Sequence, residues 1–174
     1  MLRENAILAP FAFVEDDLFS QLLSDLSSTL ISPDQYLVKS GEQAHSVYFL
    51  IKGRCAIEQR SFRSRGLKPL KILQENDFFG EVAVYFECKR SMFVKALTHG
   101  HLAFLSASQF SNLLLRRPLL GTSLANYALE HYNDRVTRRL IQILPKLPLF
   151  KEVGDPQDLL RLIFKFKILY LQRE

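Results

Sequence analysis

Between Gly80 and Arg90 the chain places residues whose chemistry a simple strand pair does not need. The stretch FFGEVAVYFECKRSMFVKA (78–96) is mostly apolar, yet it carries Gly80-Glu81 near its start and Arg90 nine residues after the glutamate. A glycine lets the backbone approach a ligand or take a turn that a Cβ forbids. Arginine offers a planar fork of donors suited to phosphate oxygens. An ionised glutamate only accepts, and a sugar hydroxyl is a fitting donor to it. A short helical turn opening at Glu81-Val82-Ala83-Val84 would add backbone N–H groups aimed at an anion. One acceptor, one fork and a few N–H groups describe a pocket for a sugar bearing a cyclic phosphate.

Such a pocket needs elements that hold these residues together. From Glu15 to Leu30 the residues Leu18, Phe19, Leu22, Leu23, Leu26 and Leu30 keep a helical rhythm, and Pro33 breaks it. From Tyr36 the period shortens. QYLVKSGEQAHSVYFLIKGRCAIEQ (35–59) runs apolar in short bursts cut by Gly41 and Gly53, which predicts strand, turn, strand, turn, strand. LKPLKILQENDFFGE (67–81) adds a strand and a turn, and SMFVKALTHGHLAFLSAS (91–108) adds two strands joined at THGH. Helix returns at SASQFSNLLLRR (106–117), capped by Ser106 or Ser108 and stopped by Pro118. A longer helix runs from about Ser123 to Leu144, closed by Pro145 and Pro148. This order predicts an α+β, mainly β fold: an antiparallel β-roll or jelly-roll barrel with flanking N- and C-terminal helices.

The 174 residues suffice for one domain and a little more. With 48% hydrophobic and 24% charged residues the balance is that of a globular protein, and no apolar run reaches the ~18 residues of a membrane span. Cys55 and Cys88 form neither a disulfide framework nor a metal-ligand spacing, which fits a cytoplasmic chain or the cytosolic part of a membrane protein. The net charge of +5 suits an anionic partner. Part of it is the run Arg60, Arg63, Arg65, Lys68 and Lys71, read as a solvated hairpin tip, with a docking patch as the alternative. No Ser-His-Asp order, Walker loop or pair of catalytic carboxylates stands out, and His99 and His101 lack further ligands nearby. The chain therefore reads as a non-enzyme, without catalytic residues, metal or cofactor.

FGEVAVYFECKRSMFVKA (79–96) resembles the phosphate-binding cassette of cyclic nucleotide-binding domains. The family pattern is FGE, a small apolar pair, a short loop, Arg, small residues and Val-x-Ala, matched here without a gap by Phe79-Gly80-Glu81, Arg90, Val94 and Ala96. SGEQAHSVYFLIKG (40–53) is similar to the family's Gly-Glu turn, aromatic strand and Gly turn, and LQENDFFGE (73–81) to its approach to the cassette. The resemblance covers about residues 8–145 and implies roles one residue at a time. Glu81 would accept the ribose 2′-hydroxyl and Arg90 would pair with the cyclic phosphate. The N–H groups of Ala83 and Ser91 would complete the cradle, Gly80 would lie against the sugar, and Val82 and Met92 would stand beside them. In this family a residue on the helix after the roll caps the base, which makes Tyr127 and Tyr132 candidates.

The chain also departs from the pattern. Asn76-Asp77-Phe78 replaces a Gly-Asp approach, with Asn able to adopt the turn. Cys88-Lys89 stands where a Pro usually precedes the Arg, and bulky Met92 replaces a second small residue. Ser91 falls between the Thr that assists guanine and the Ala that goes with adenine; cAMP is preferred over cGMP.

The resemblance implies a sensing regulatory domain, in which ligand shifts the cassette and C-terminal helices repack to control a kinase catalytic subunit, a channel pore module or another effector. Two other readings stand beside it: a degenerate assembly module that binds no ligand, and a DNA-binding regulator of the catabolite-activator type. Against the latter, LPLFKEV (147–153) opens no compact helix-turn-helix, so neither a nucleic-acid partner nor membrane insertion is expected. Instead LPLFKEVGDPQDLLRLIFKFKILYLQRE (147–174) is similar to APFAFVEDDLFSQLLSDLSSTLISPDQYLVKSGE (9–42). Residues 8–145 then form one domain, and 146–174 the start of a truncated second copy or, alternatively, a terminal helix packing back on the roll.

Overall fold

The computed structural model describes residues 24–60, 66–131, 140–150, 153 and 158–165. Strands β1 (Ser27–Ile31), β2 (Tyr36–Val38), β3 (Ser46–Lys52), β4 (Cys55–Arg60), β5 (Leu67–Leu73) and β6 (Phe78–Phe79) lead to a short helix, α1 (Glu81–Tyr85). Strands β7 (Phe93–Ala96) and β8 (Gly100–Ser106) follow, then helices α2 (Ala107–Arg116) and α3 (Pro118–His131). One sheet runs β1-β8-β3-β6 and the other β2-β7-β4-β5, with every neighbouring pair antiparallel. The mainly β fold with helices gathered on one side is the architecture expected from the element order.

The first sheet is covered on both faces. Leu50, Phe79 and Leu102 meet Val38, Cys55, Leu73, Val94 and Ala96 of the second sheet in one core. Val47, Phe49, Ala103 and Leu105 pack instead with Phe110, Leu120 and Leu124 of the helices in another. Burial on both faces explains why β3 reads as an almost unbroken apolar run. The edge strand β5, by contrast, is exposed from Lys68 to Ile72. Arg60, Lys68 and Lys71 are indeed exposed, while Arg63 and Arg65 lie outside the described residues.

The helix expected through Leu30 is corrected at its end. Ser27–Ile31 is β1, paired with β8 from Ser27↔Phe104 to Ile31↔Gly100. The segment SSTLI consists of modest helix formers, and ladder pairing with β8 outweighs its share of the apolar rhythm. Residues 15–23, which carry most of that expected helix, lie outside the described residues. Helix α2 begins as anticipated: Ser106 accepts the Gln109 N–H, and Gln109 Oε1 accepts the Ser106 N–H at 2.9 Å, a full capping box. Pro118 both ends α2 and opens α3, ahead of the expected Ser123, because its fixed φ suits the first helical position.

A further helix spans 158–165, and its Leu160, Ile163 and Phe164 are buried in the helical core. Phe164 stacks on Phe86 with ring centroids 4.5 Å apart and planes at 21°. Among the described residues, no helix is long and apolar enough to cross a membrane.

Candidate functional site

The site begins where β6 gives way to α1. Gly80 takes φ 87 and ψ 0, a left-handed conformation that an L side chain rarely adopts. A Cβ there would also lie 2.6 Å from Arg90 Nη1 and 3.3 Å from the Ser46 carbonyl oxygen. Backbone and guanidinium thus both require glycine. The turn leading in has Asn76 at φ 72, the conformation anticipated for that Asn. This turn is tied to β3, since Asn76 N–H donates to the Leu50 oxygen and Leu50 N–H to the Asp77 oxygen, each at 2.8 Å.

Helix α1 closes tightly on itself. Phe86 N–H donates to Val82 O at 2.9 Å and Cys88 N–H to Ala83 O at 2.9 Å, with Glu87 at φ 51 in the reversal. Buried Cys88 thereby closes the loop one residue before Lys89, which stands where the family pattern has a Pro ahead of the Arg. The first N–H groups of such a helix have no intrahelical acceptor.

Arg90 returns from the far side of this loop. Its N–H donates to Glu42 O at 2.8 Å, and Gly41 N–H donates to Arg90 O at 2.8 Å, so the turn between β2 and β3 pins it. The side chain is 4% exposed. It donates from Nη1 to Gly80 O at 2.7 Å and from Nη2 to Ser46 O at 2.6 Å, with the Tyr48 ring centroid 5.9 Å away. Desolvation lowers its pKa, opposed by the fields of Tyr48, Glu81, Cys88 and Glu42. The guanidinium stays charged, and the two carbonyls occupy two of its five N–H donors. Among the described residues no ion pair joins Arg90 to Glu81, which acts on it through its field.

Beside the guanidinium lies a cleft of about 50 Å³. Arg90 and Ser91 bring the polar side chains of its lining, Val38, Ile57, Phe79, Val82, Met92 and Val94 its apolar part, and Gly80 and Ala83 complete it. Of the residues anticipated from the sequence, Gly80, Val82, Ala83, Arg90, Ser91 and Met92 therefore meet in one place. Glu81 is not in the lining; it is 2% exposed. Its charge and that of Asp77 add to burial, the larger cause, in pushing Tyr127 up to about 12. Tyr127 rests half-buried against Phe78, ring centroids 5.4 Å apart, and is likewise outside the cleft lining. Tyr132 lies outside the described residues. Val38 and Ile57 were not anticipated; only the inward alternation of β2 and β4 marks them.

The chain matches the family described as cyclic nucleotide-binding domain over residues 29–117. It is 24% identical over 141 residues to the potassium/sodium hyperpolarization-activated cyclic nucleotide-gated channel 1 of Oryctolagus cuniculus, across 81% of this chain and 15% of the channel. It is 35% identical over 95 residues to the cAMP-dependent protein kinase regulatory subunit of Debaryomyces hansenii, across 55% of this chain and 20% of that subunit. The chain thus spans at most about a fifth of these relatives' length. Its fold is similar to the regulatory subunit of a cAMP-independent protein kinase A from Trypanosoma brucei, with TM-score 0.65 and 19% identity over 80% of this chain and 48% of that one. It is also similar to the sensor domain of the transcriptional regulator DNR from Pseudomonas aeruginosa, with TM-score 0.64 and 20% identity over 82% of this chain and 90% of that one.

Proposed function

The chain belongs to the cyclic nucleotide-binding domain family, and on that premise we propose that it is a regulatory sensor of a cyclic nucleotide, cAMP in preference to cGMP, and not an enzyme. The observation that carries this reading is Arg90, a buried cation lining the cleft, held by two carbonyls with donors to spare. An anion with several acceptor oxygens is the ligand that such a group favours. Arg90 and the N–H groups of Ala83 and Ser91 take the cyclic phosphate, Gly80 lies against the sugar, and Val82 and Met92 flank it.

Glu81 accepts the ribose hydroxyl, and because its carboxylate is buried, α1 or α3 must shift to uncover it. Ligand binding and helix rearrangement are then one event, driven by the difference in affinity between the two arrangements. Tyr127 of α3, or Tyr132, caps the base in the rearranged form. Residues 146–174 open a second copy whose first helix meets the cassette through the Phe86–Phe164 stack. The effector is a kinase catalytic subunit or channel pore module, by similarity to relatives of those kinds, on the cytoplasmic side. The cleft's small size and the burial of Glu81 favour a second reading, an assembly module that binds no ligand.

Isothermal titration with cAMP and with cGMP separates the two. Saturable binding that Arg90→Ala weakens at least about 10-fold supports the sensor, since each charge-assisted bond contributes ~1.5–3 kcal/mol. No heat with either nucleotide, in folded and nucleotide-free protein, overturns it and leaves the assembly module.

A further inference from the structure

Met92 is the one long unbranched chain in the apolar part of the cleft, set in the bend that joins Arg90 to β7. Phe93 points to the outer face of its sheet, where its ring meets Tyr36 at 6.1 Å. Val94, the next residue along, lies in the core between the sheets and pairs with both Val38 and Ile57. Met92 lies in the bend just before β7, two residues after Arg90, and stands half-buried in the cleft lining.

The cleft measures about 50 Å³ and opens to solvent, room for roughly four water-sized groups beside the guanidinium: enough for a phosphate, so that a nucleoside attached to it must pass along the rest of the lining. The walls of that lining differ in their freedom to move. Val38, Ile57, Val82 and Val94 are β-branched and stiff at χ1, and all but Val82, which sits on α1, are held in the β2-β7-β4 ladder. Phe79 is buried and stacked on Tyr48 with centroids 5.0 Å apart. Arg90 is tied to two carbonyls. Met92, with three rotatable bonds, can vacate space without breaking a hydrogen bond or a ladder pair.

We propose that Met92 is the specificity-determining residue of this cleft, a side-chain gate that limits the size of the nucleoside admitted beside the phosphate. The proposal rests on the sensor reading and deepens it. A wall that must move away disfavours large ligands, a form of selection by exclusion. Leucine keeps most of the volume but not the flexibility.

The test is calorimetric titration of wild type, Met92→Ala, Met92→Leu and Arg90→Ala with cAMP, and with a cAMP analogue carrying a bulky 8-substituent. Binding of cAMP tightened about 10-fold or more in Met92→Ala, a larger gain for the substituted analogue, and no gain in Met92→Leu support the gate. Ligand bound equally or more weakly by Met92→Ala than by wild type overturns the gate and leaves the sensor standing. Absence of binding in wild type and both Met92 variants overturns the sensor reading and the gate with it. Binding by Met92→Ala alone, lost again when Arg90→Ala is added, supports both.

Discussion

Replacing Gly80 with Ala puts a methyl group into the junction between β6 and α1, and the cost can be divided in advance. Holding an L residue at φ 87 costs roughly 1–2 kcal/mol. The new Cβ would lie 2.6 Å from Arg90 Nη1, which no real contact tolerates, so the guanidinium must leave its place. Leaving it disrupts the bonds to Gly80 O at 2.7 Å and Ser46 O at 2.6 Å, and a hydrogen bond from a charged donor contributes ~1.5–3 kcal/mol. Loss of one such bond brings the total to about 2.5–5 kcal/mol, a large share of the ~5–15 kcal/mol that stabilises a domain. Equilibrium denaturation in urea measures it, with Gly80→Ala, Arg90→Ala and the double variant forming a cycle. In the Arg90→Ala background the guanidinium clash is gone and the backbone strain, with the 3.3 Å approach to the Ser46 oxygen, remains, so Gly80→Ala should cost about 1–2 kcal/mol there. A coupling energy below about 0.5 kcal/mol, with the single variant equally costly in both backgrounds, would refute the argument that Gly80 makes room for the guanidinium.

Two further outcomes follow from buried groups outside the cleft. Phe164→Ala removes a ring that is 4% exposed and stacked on fully buried Phe86, so urea denaturation should show a loss of about 3–5 kcal/mol; a loss under about 1 kcal/mol means that 158–165 is not docked on the cassette. Burial lifts the Cys55 thiol from 9.0 to about 11, so the folded state keeps a proton that the unfolded chain releases first. Its contribution is fully present below pH 9 and lost as pH rises through about 11, a decline of ~2–3 kcal/mol that Cys55→Ala should flatten in urea melts taken across that window.

Much of the architecture was legible because its signals are local. Alternation and turn residues marked the strands from Tyr36 onwards, and Ser106 with Gln109 marked the start of α2. Asn76 could be placed in a left-handed turn because few residue types tolerate one. The mistaken helix at Ser27–Ile31 shows the limit of such signals. Its apolar rhythm was real, but the deciding interaction is a ladder to β8, about seventy residues further along the chain. Pro118 was readable as a stop but not as a start, since the same fixed φ serves both.

By itself the sequence determined the family and the residues of the cassette, because spacing between Gly80 and Arg90 is a covalent fact that a motif can record. Only tertiary structure decided what those residues face. Arg90 is anchored by Ser46, 44 positions away in sequence, and no local pattern encodes that contact. Glu81 and Arg90 look alike in the sequence, as lone charges in apolar surroundings. In the fold one lines the cleft and the other is buried outside its lining. Met92 gained its meaning in the same way, from a fold that sets it in the cleft lining with Val94 and Arg90. Residue type sets which interactions a side chain can make, and the packing of distant segments sets which of them it does make.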